Sequence, residues 1–224
     1  MKPVTPDTSQ KKTSITLDPK TIGNKAAYQL IIGSIVPRPI AFVSTQNAEG
    51  IGNLAPFSFF SGVSSHPPAL MISVARNSDG SKKDTLRNIE STGELVVNSV
   101  GEWMIEAVNQ CSAQYPFGVD EMGQVGLTPL RSERVKPFRV AESLIHLECR
   151  MMHIYEIGDG SEGSATVVIA EIILFHIDST VYREGKILLE PLRAISRLAG
   201  KSYGKISGVF DLPRPKLPPS PLRE

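Results

Sequence analysis

Residues 36–60 read VPRPIAFVSTQNAEGIGNLAPFSFF. The run PIAFVST (39–45) and the run NLAPFSFF (53–60) flank NAEG, which has turn chemistry, so the segment reads as strand, turn, strand. Folding the second run back on the first brings Ser44 and Thr45 beside Asn53. Hydroxyls and an amide then cluster near Pro56. A proline has no backbone N–H, so it confines its strand to a sheet edge or to a break in the ladder. Such a cluster can satisfy local backbone at a wet hairpin end, and groups freed by the proline need water or a ligand. In a regular strand, Phe57 and Phe59 share one side and Ser58 and Phe60 the other.

Further strand-like runs follow: FSFFSGVS (57–64), ALMISVA (69–75), ELVVNSV (94–100), SLIHLECRMMHIYEI (143–157) and SATVVIAEIILFHI (164–177). They are rich in Val, Ile and Phe, and turn signals such as HPP and NSDG separate them. This spacing fits an antiparallel barrel or sandwich better than a βαβ alternation. Within 143–157, Leu144, His146 and Glu148 alternate with Ile145, Leu147 and Cys149, so one face should be more polar. The helices expected are few and short. They are NKAAYQLIIGS (24–34), ending at Gly33; KDTLRNIEST (83–92), capped by Asp84 or the residue before it, with Leu86 and Ile89 on one face; EWMIEAVNQCSA (102–113), with Trp103, Ala107 and Val108 on one face; and PLRAISRLA (191–199).

Apolar residues make up 41% of the 224 and charged residues 21%, with a net charge of +1, a balance that argues against a nucleic-acid surface, an acidic tail or a disordered chain. Cys111 and Cys149 lack CxxC spacing, which speaks for buried thiols in a reducing compartment rather than a disulfide scaffold or structural zinc. The apolar runs fall short of the roughly 20 residues of a membrane span, and the N-terminal lysines precede no apolar core, so a soluble cytoplasmic protein is expected. Residues 1–14 and the proline-rich 209–224 read as extended arms around one domain at 15–208.

The loop ARNSDGSKKDTLRNIE (75–90) carries a second signal. A strand ends at Ala75, and Ser81, Lys82, Lys83 and Thr85 arrive where a helix begins, with Arg76 across the loop. Free N–H groups and the positive end of a helix dipole favour an anion there, and this set suits a phosphate. A solvated charged loop is the alternative, since the glycine pattern is neither a Walker A nor a dinucleotide fingerprint. His66, His146, His153 and His176 have no metal-ligand spacing, so no metal site is expected, and no hydrolytic elbow or paired-carboxylate pattern stands out.

The succession PRPIAFVST, NLAPFSFF, SSHPPALMISVAR, KKDTLRNIE with ELVVN, and ISRLAGKSY resembles the flavin reductase-like, FMN-binding split-barrel family from about residue 25 to 205. The resemblance implies a mainly β fold, a split β-barrel with a few peripheral helices, forming a homodimer with FMN near the subunit interface. It assigns Arg38, Ser44, Thr45, Asn53, Ala55, Pro56, Ser58 and Phe59 to the flavin ring and ribityl chain. Arg76, Ser81, Lys82, Lys83 and Thr85 fall to the phosphate or the flavin's polar edge. Ala199-Gly200 stands where relatives tend to have two glycines, next to Arg197 and Tyr203. The activity implied is that of an FMN-dependent oxidoreductase using NADH or NADPH. The alternatives are an electron carrier reduced by a partner protein and a non-catalytic binding module. A bound flavin carries its own redox chemistry, so a general base is not required.

Overall fold

The structure is a computed structural model that describes residues 14–116 and 118–215. The expected arms at 1–14 and 209–224 lie largely outside these residues; the described part of the second, 209–215, is exposed and without regular structure. The elements in the first half of the chain are α1 (Pro19–Ile22), α2 (Asn24–Ser34), β1 (Arg38–Pro39), β2 (Ala41–Gln46), β3 (Gly52–Phe57), β4 (Phe60–Ser65), β5 (Pro68–Ala75), α3 (Asp84–Thr92), β6 (Glu94–Asn98) and α4 (Ile105–Gln110). The second half contributes α5 (Glu121–Gln124), β7 (Pro129–Leu130), β8 (Arg139–Val140), β9 (Ile145–Ile157), β10 (Ala165–Ile177), β11 (Tyr182–Arg183), β12 (Lys186–Ile187), α6 (Leu189–Leu192), β13 (Ile195–Arg197) and β14 (Tyr203–Lys205). No helix among the described residues is long and apolar enough to cross a membrane.

Seven antiparallel strands form the main sheet in the order β3-β2-β6-β9-β10-β5-β4. Its two outer strands, β3 and β4, are consecutive in the chain with only Ser58 and Phe59 between them. Three Cα–Cα steps reach at most about 11 Å. The two edges of the sheet therefore meet at this link, and the sheet curls into a barrel that parts away from it. A smaller sheet of β1, β13 and β14 lies alongside.

Strand alternation divides the burial. Ala41 and Val43 of β2 face the barrel interior with Phe57, Leu70, Ile72, Val74, Leu95, Val97 and Val168. Leu86 and Ile89 of α3, three apart as expected, pack into the same interior. Phe42 and Leu54 face the other way, into a second core with Met104, Val108, Met122 and Val140. Strand β2 is thus buried on both faces, which is why it reads as a nearly continuous apolar run.

The expected hairpin is present, with Thr45 opposite Asn53 and Val43 opposite Ala55. Pro56 does not break the ladder: it pairs opposite Phe42 in an edge strand, where its missing N–H is tolerated. The break comes later, at Ser58–Phe59, so the run 57–64 is not one strand and the side-by-side alternation from Phe57 to Phe60 does not hold.

The helices also depart in part from expectation. Helix α2 runs one residue past Gly33. Helix α3 starts from Lys83 with no side-chain cap, Asp84 lying in its first turn, and ends at Gly93 in the left-handed region with φ 71°. The helix expected at 102–113 shrinks to a 3-10 turn at Glu102–Met104 followed by α4. Trp103 leaves its buried face because its Nε1–H donates to Glu142 O at 2.9 Å. Of the helix expected at 191–199 only Pro191 and Leu192 are helical, at the end of α6, while Ile195–Arg197 is strand, because Ser196 and Arg197 pair with Pro39 and Arg38.

The polar face of β9 is buried rather than wet. Glu148, fully buried, accepts the Glu133 and Arg134 N–H groups at 2.8 and 2.6 Å, and its Oε1 lies 2.6 Å from His176 Nε2. His146 Nε2 lies 2.8 Å from Val140 O. The segment from Glu133 to Val140 thereby covers the strand.

Candidate active site

A cleft of about 410 Å³ opens where the outer edge of β3 meets the start of α3. Asn53, Ala55 and Pro56 form one wall, and Asn77 to Asp79 with Lys83, Asp84 and Thr85 form another. Cys111, Gln114, Tyr115 and Glu121 contribute to the third. Its volume falls within the roughly 300–1,000 Å³ of small-molecule sites.

A buried polar network builds the wall at Asn53. Its Nδ2 group donates to Thr85 Oγ1 at 2.9 Å and to Thr45 Oγ1 at 3.2 Å, and Asn88 Nδ2 donates to the same Thr45 oxygen at 3.1 Å. With both amide hydrogens used, Asn53 has its carbonyl oxygen left as an acceptor. Thr45 stands behind Asn53, as a support for it.

Of the residues assigned from the sequence, Asn53, Ala55, Pro56, Lys83 and Thr85 line the cleft. The others lie elsewhere. Ser44 Oγ donates to Phe138 O at 2.5 Å in the buried core. Arg38, also buried, donates to Ile32 O (2.7 Å), Ile35 O (2.8 Å), Leu198 O (3.0 Å) and Ser58 Oγ (3.3 Å). Its guanidinium carbon lies 6.0 Å from the centre of the Phe59 ring, so Arg38 grips the link between β3 and β4. Arg76 pairs with Glu156 at 3.1 Å, and Lys82 with Glu90 at 2.5 Å. Ser81 donates its N–H to Asp79 Oδ1 at 2.9 Å and accepts from Asn77 Nδ2 at 3.0 Å, which shapes the loop.

Sequence reading missed the acidic side of the cleft. Glu121, 6% exposed, accepts the Leu54 N–H through Oε2 at 2.8 Å and so satisfies a donor on the outer edge of β3. Burial pushes its carboxyl up, opposed by that hydrogen bond and reinforced by Asp84 and Asp120. Asp84 is also pushed up by burial, with Arg87 and Lys83 pulling the other way. The Cys111 thiol is pushed up to about 12, chiefly by burial and further by Glu121 and Asp120, so it is no nucleophile at neutral pH. Glu121 carries no motif, and only the fold brings it against Leu54.

The donors suit a nucleotide-type ligand. Lys83 brings an ammonium and Thr85 a hydroxyl to a nine-residue helix whose N-terminus has no side-chain cap, a start that favours a phosphate. Ala55 and Pro56 give an apolar wall beside it.

A curled seven-stranded sheet whose edges meet, with a nucleotide-sized cleft at that edge, defines a split-barrel protein. The chain belongs to the flavin reductase-like family: the family profile described as Flavin reductase like domain matches residues 32–193. An uncharacterised protein of Halalkalibacterium halodurans is 42% identical over 202 residues, covering 90% of this chain and 97% of its own. The crystal structure of nitrilotriacetate monooxygenase component B from Bacillus cereus is similar with a TM-score of 0.86 and 35% identity, covering 90% of this chain and 100% of that one. A split-barrel-domain protein from Shewanella frigidimarina shares the fold, with a TM-score of 0.76 and 20% identity over 88% of this chain and 96% of that one. The family supports an oxidoreductase that handles flavin.

Proposed function

We propose that the protein is an FMN-binding oxidoreductase that reduces flavin with NADH or NADPH, acting as a cytoplasmic homodimer. The observation that carries this reading is the meeting of the β3 edge with the uncapped start of α3, in a chain of the flavin reductase-like family. Lys83 and Thr85 at one helix start match a single phosphate group, which favours FMN over a dinucleotide flavin. Asn53, locked by Thr45 and Thr85, offers its carbonyl oxygen to a ring N–H. Ala55 and Pro56 give the ring an apolar surface and keep water from it. Bound flavin supplies the hydride chemistry. Similarity to a protein named as one component of a monooxygenase supports a role in which reducing power is passed onward.

Homodimer formation is supported by apolar side chains left in the open. Val63 on β4, Ile154 and Ile157 on β9, and Tyr28, Leu30 and Ile31 on α2 are all exposed in the single chain. Light scattering of purified protein tests this, and a monomer at micromolar concentration overturns it.

Anaerobic titration of FMN-loaded protein with NADH and then NADPH, followed by flavin absorbance, tests the activity. Bleaching by either donor is the expected outcome. A yellow protein inert to both but bleached through a reductase is an electron carrier instead, and a protein that takes up no FMN overturns the reading.

A further inference from the structure

The cleft that holds Lys83 and Thr85 at its phosphate end has more acidic than basic residues in its walls. Lys83 is the basic residue lining it among the described residues, while Asp79, Asp84 and Glu121 line it as well. These carboxylates differ in effect. Asp79 is exposed to solvent, which screens it. Asp84 has Arg87 and Lys83 close enough to offset its charge.

Glu121 has no such offset. It is almost wholly buried, it forms no ion pair among the described residues, and the charges acting on it are those of Asp84 and Asp120. Oε2 is held by the Leu54 N–H. The Glu121 backbone N–H also favours the ionised form, and the side chain forms part of the cleft wall. In its ionised form Glu121 exerts a field there that solvent does little to damp.

The flavin changes charge during the proposed reaction. Hydride transfer from NADH or NADPH leaves NAD+ or NADP+ and adds a hydrogen with its electron pair to the ring, which goes from neutral to singly negative. We propose that Glu121 makes this cleft bind reduced flavin more weakly than oxidised flavin, so that reduction itself favours release of the product. This rests on the flavin reductase reading above. It gives Glu121 a specificity role, set by the redox state of the ligand, in addition to its hold on Leu54. It also accounts for an acidic residue where a structural partner for one N–H would need only a neutral amide.

The test compares the full-length protein with E121Q at pH 8. Each is titrated with FMN and, under anaerobic conditions, with FMN reduced by dithionite, the dissociation constants being read by calorimetry. Glutamine keeps an acceptor for Leu54 without the charge. For wild type the reduced form is expected to bind more weakly. In E121Q the ratio of reduced to oxidised dissociation constants is expected to fall about tenfold, equivalent to a rise of roughly 30 mV in the potential of the bound flavin.

D84N is expected to move the ratio the same way by less, because Arg87 and Lys83 already offset that charge; if E121Q does not fold, the wild-type ratio itself carries the test. An unchanged ratio in E121Q, or reduced FMN bound by the wild type as tightly as oxidised FMN, overturns the proposal and leaves flavin reduction standing. Failure of the wild type to bind FMN in either state overturns the underlying reading as well.

Discussion

Asn53 donates to Thr85 Oγ1 at 2.9 Å, joining the outer strand of the barrel to the first turn of α3 by one buried hydrogen bond. The two walls of the cleft are therefore set relative to each other by side chains 32 positions apart. A ligand that touches either wall meets a surface already fixed by the other.

Removing Lys83 and Thr85 tests the phosphate end of the cleft. Each single alanine variant is expected to weaken FMN binding by about ten- to a hundredfold, the worth of one charge-assisted hydrogen bond. The oligomeric state should not change; T85A also removes the acceptor used by Asn53, so K83A isolates the phosphate contact. Fluorescence titration gives the affinity, and unaltered values for K83A would remove the phosphate from this helix start.

Thr45 should matter for stability although it does not line the cleft. T45V removes the oxygen shared by Asn53 and Asn88, leaving buried amide hydrogens without a partner. The expected cost is about 1–3 kcal/mol. T45S keeps the oxygen and should stay closer to wild type. Denaturant unfolding of the two variants decides it, and equal losses would mean that the methyl group rather than the oxygen is what counts.

Arg38 is predicted to act on the barrel and not on the flavin ring or ribityl chain. R38M strips donors from the Ile32, Ile35 and Leu198 carbonyls and from Ser58. A loss of roughly 3 kcal/mol is expected, or a melting temperature lower by about 6–12 °C for a chain of this size. A melting temperature that stays put while FMN affinity collapses would return Arg38 to the ligand.

Acid should loosen the cover over β9. Burial alone would raise Glu148, but the Glu133 N–H, His176 and the Arg134 N–H together hold its carboxyl below the ordinary 4.5. A depressed carboxyl gives stability that is present above the unfolded value and lost as pH falls through the folded one. Melting temperature is therefore expected to hold near neutrality and to decline once pH drops below the ordinary carboxylate value. In E148Q that part of the decline should vanish, with lower stability at pH 7. Parallel pH profiles for the two proteins would contradict the assignment.

The hairpin and its register were legible because a turn signal stood between two apolar runs and a two-residue period fixed which side chains share a face. The start of α3 was legible for the same reason of local chemistry, hydroxyls and ammonium groups crowding one helix entrance. What local pattern did not disclose were the partners. Lys82 and Arg76 look like free cations in the sequence, yet Glu90 and Glu156 take them. Arg38 looks like a ligand residue until Leu198, 160 positions away, supplies a carbonyl. Glu121 gave no signal because its role depends on an N–H of Leu54, which only the sheet order exposes. The helix expected near 191–199 failed in a related way: its apolar spacing suits a helix, but pairing with Arg38 and Pro39 makes Ser196–Arg197 a strand.

The two outer strands of the sheet are unequal in what they offer a foreign chain. On β3, Pro56 has no hydrogen to give and the Leu54 N–H is taken by Glu121, so an incoming extended peptide finds few donors there. On β4, Ser61 to Ser65 are exposed. Any strand recruited to lengthen this sheet, whether from another copy during aggregation or from an engineered fusion, would add beside β4. Charged or proline substitutions meant to keep the protein from associating through its sheet therefore belong on that strand.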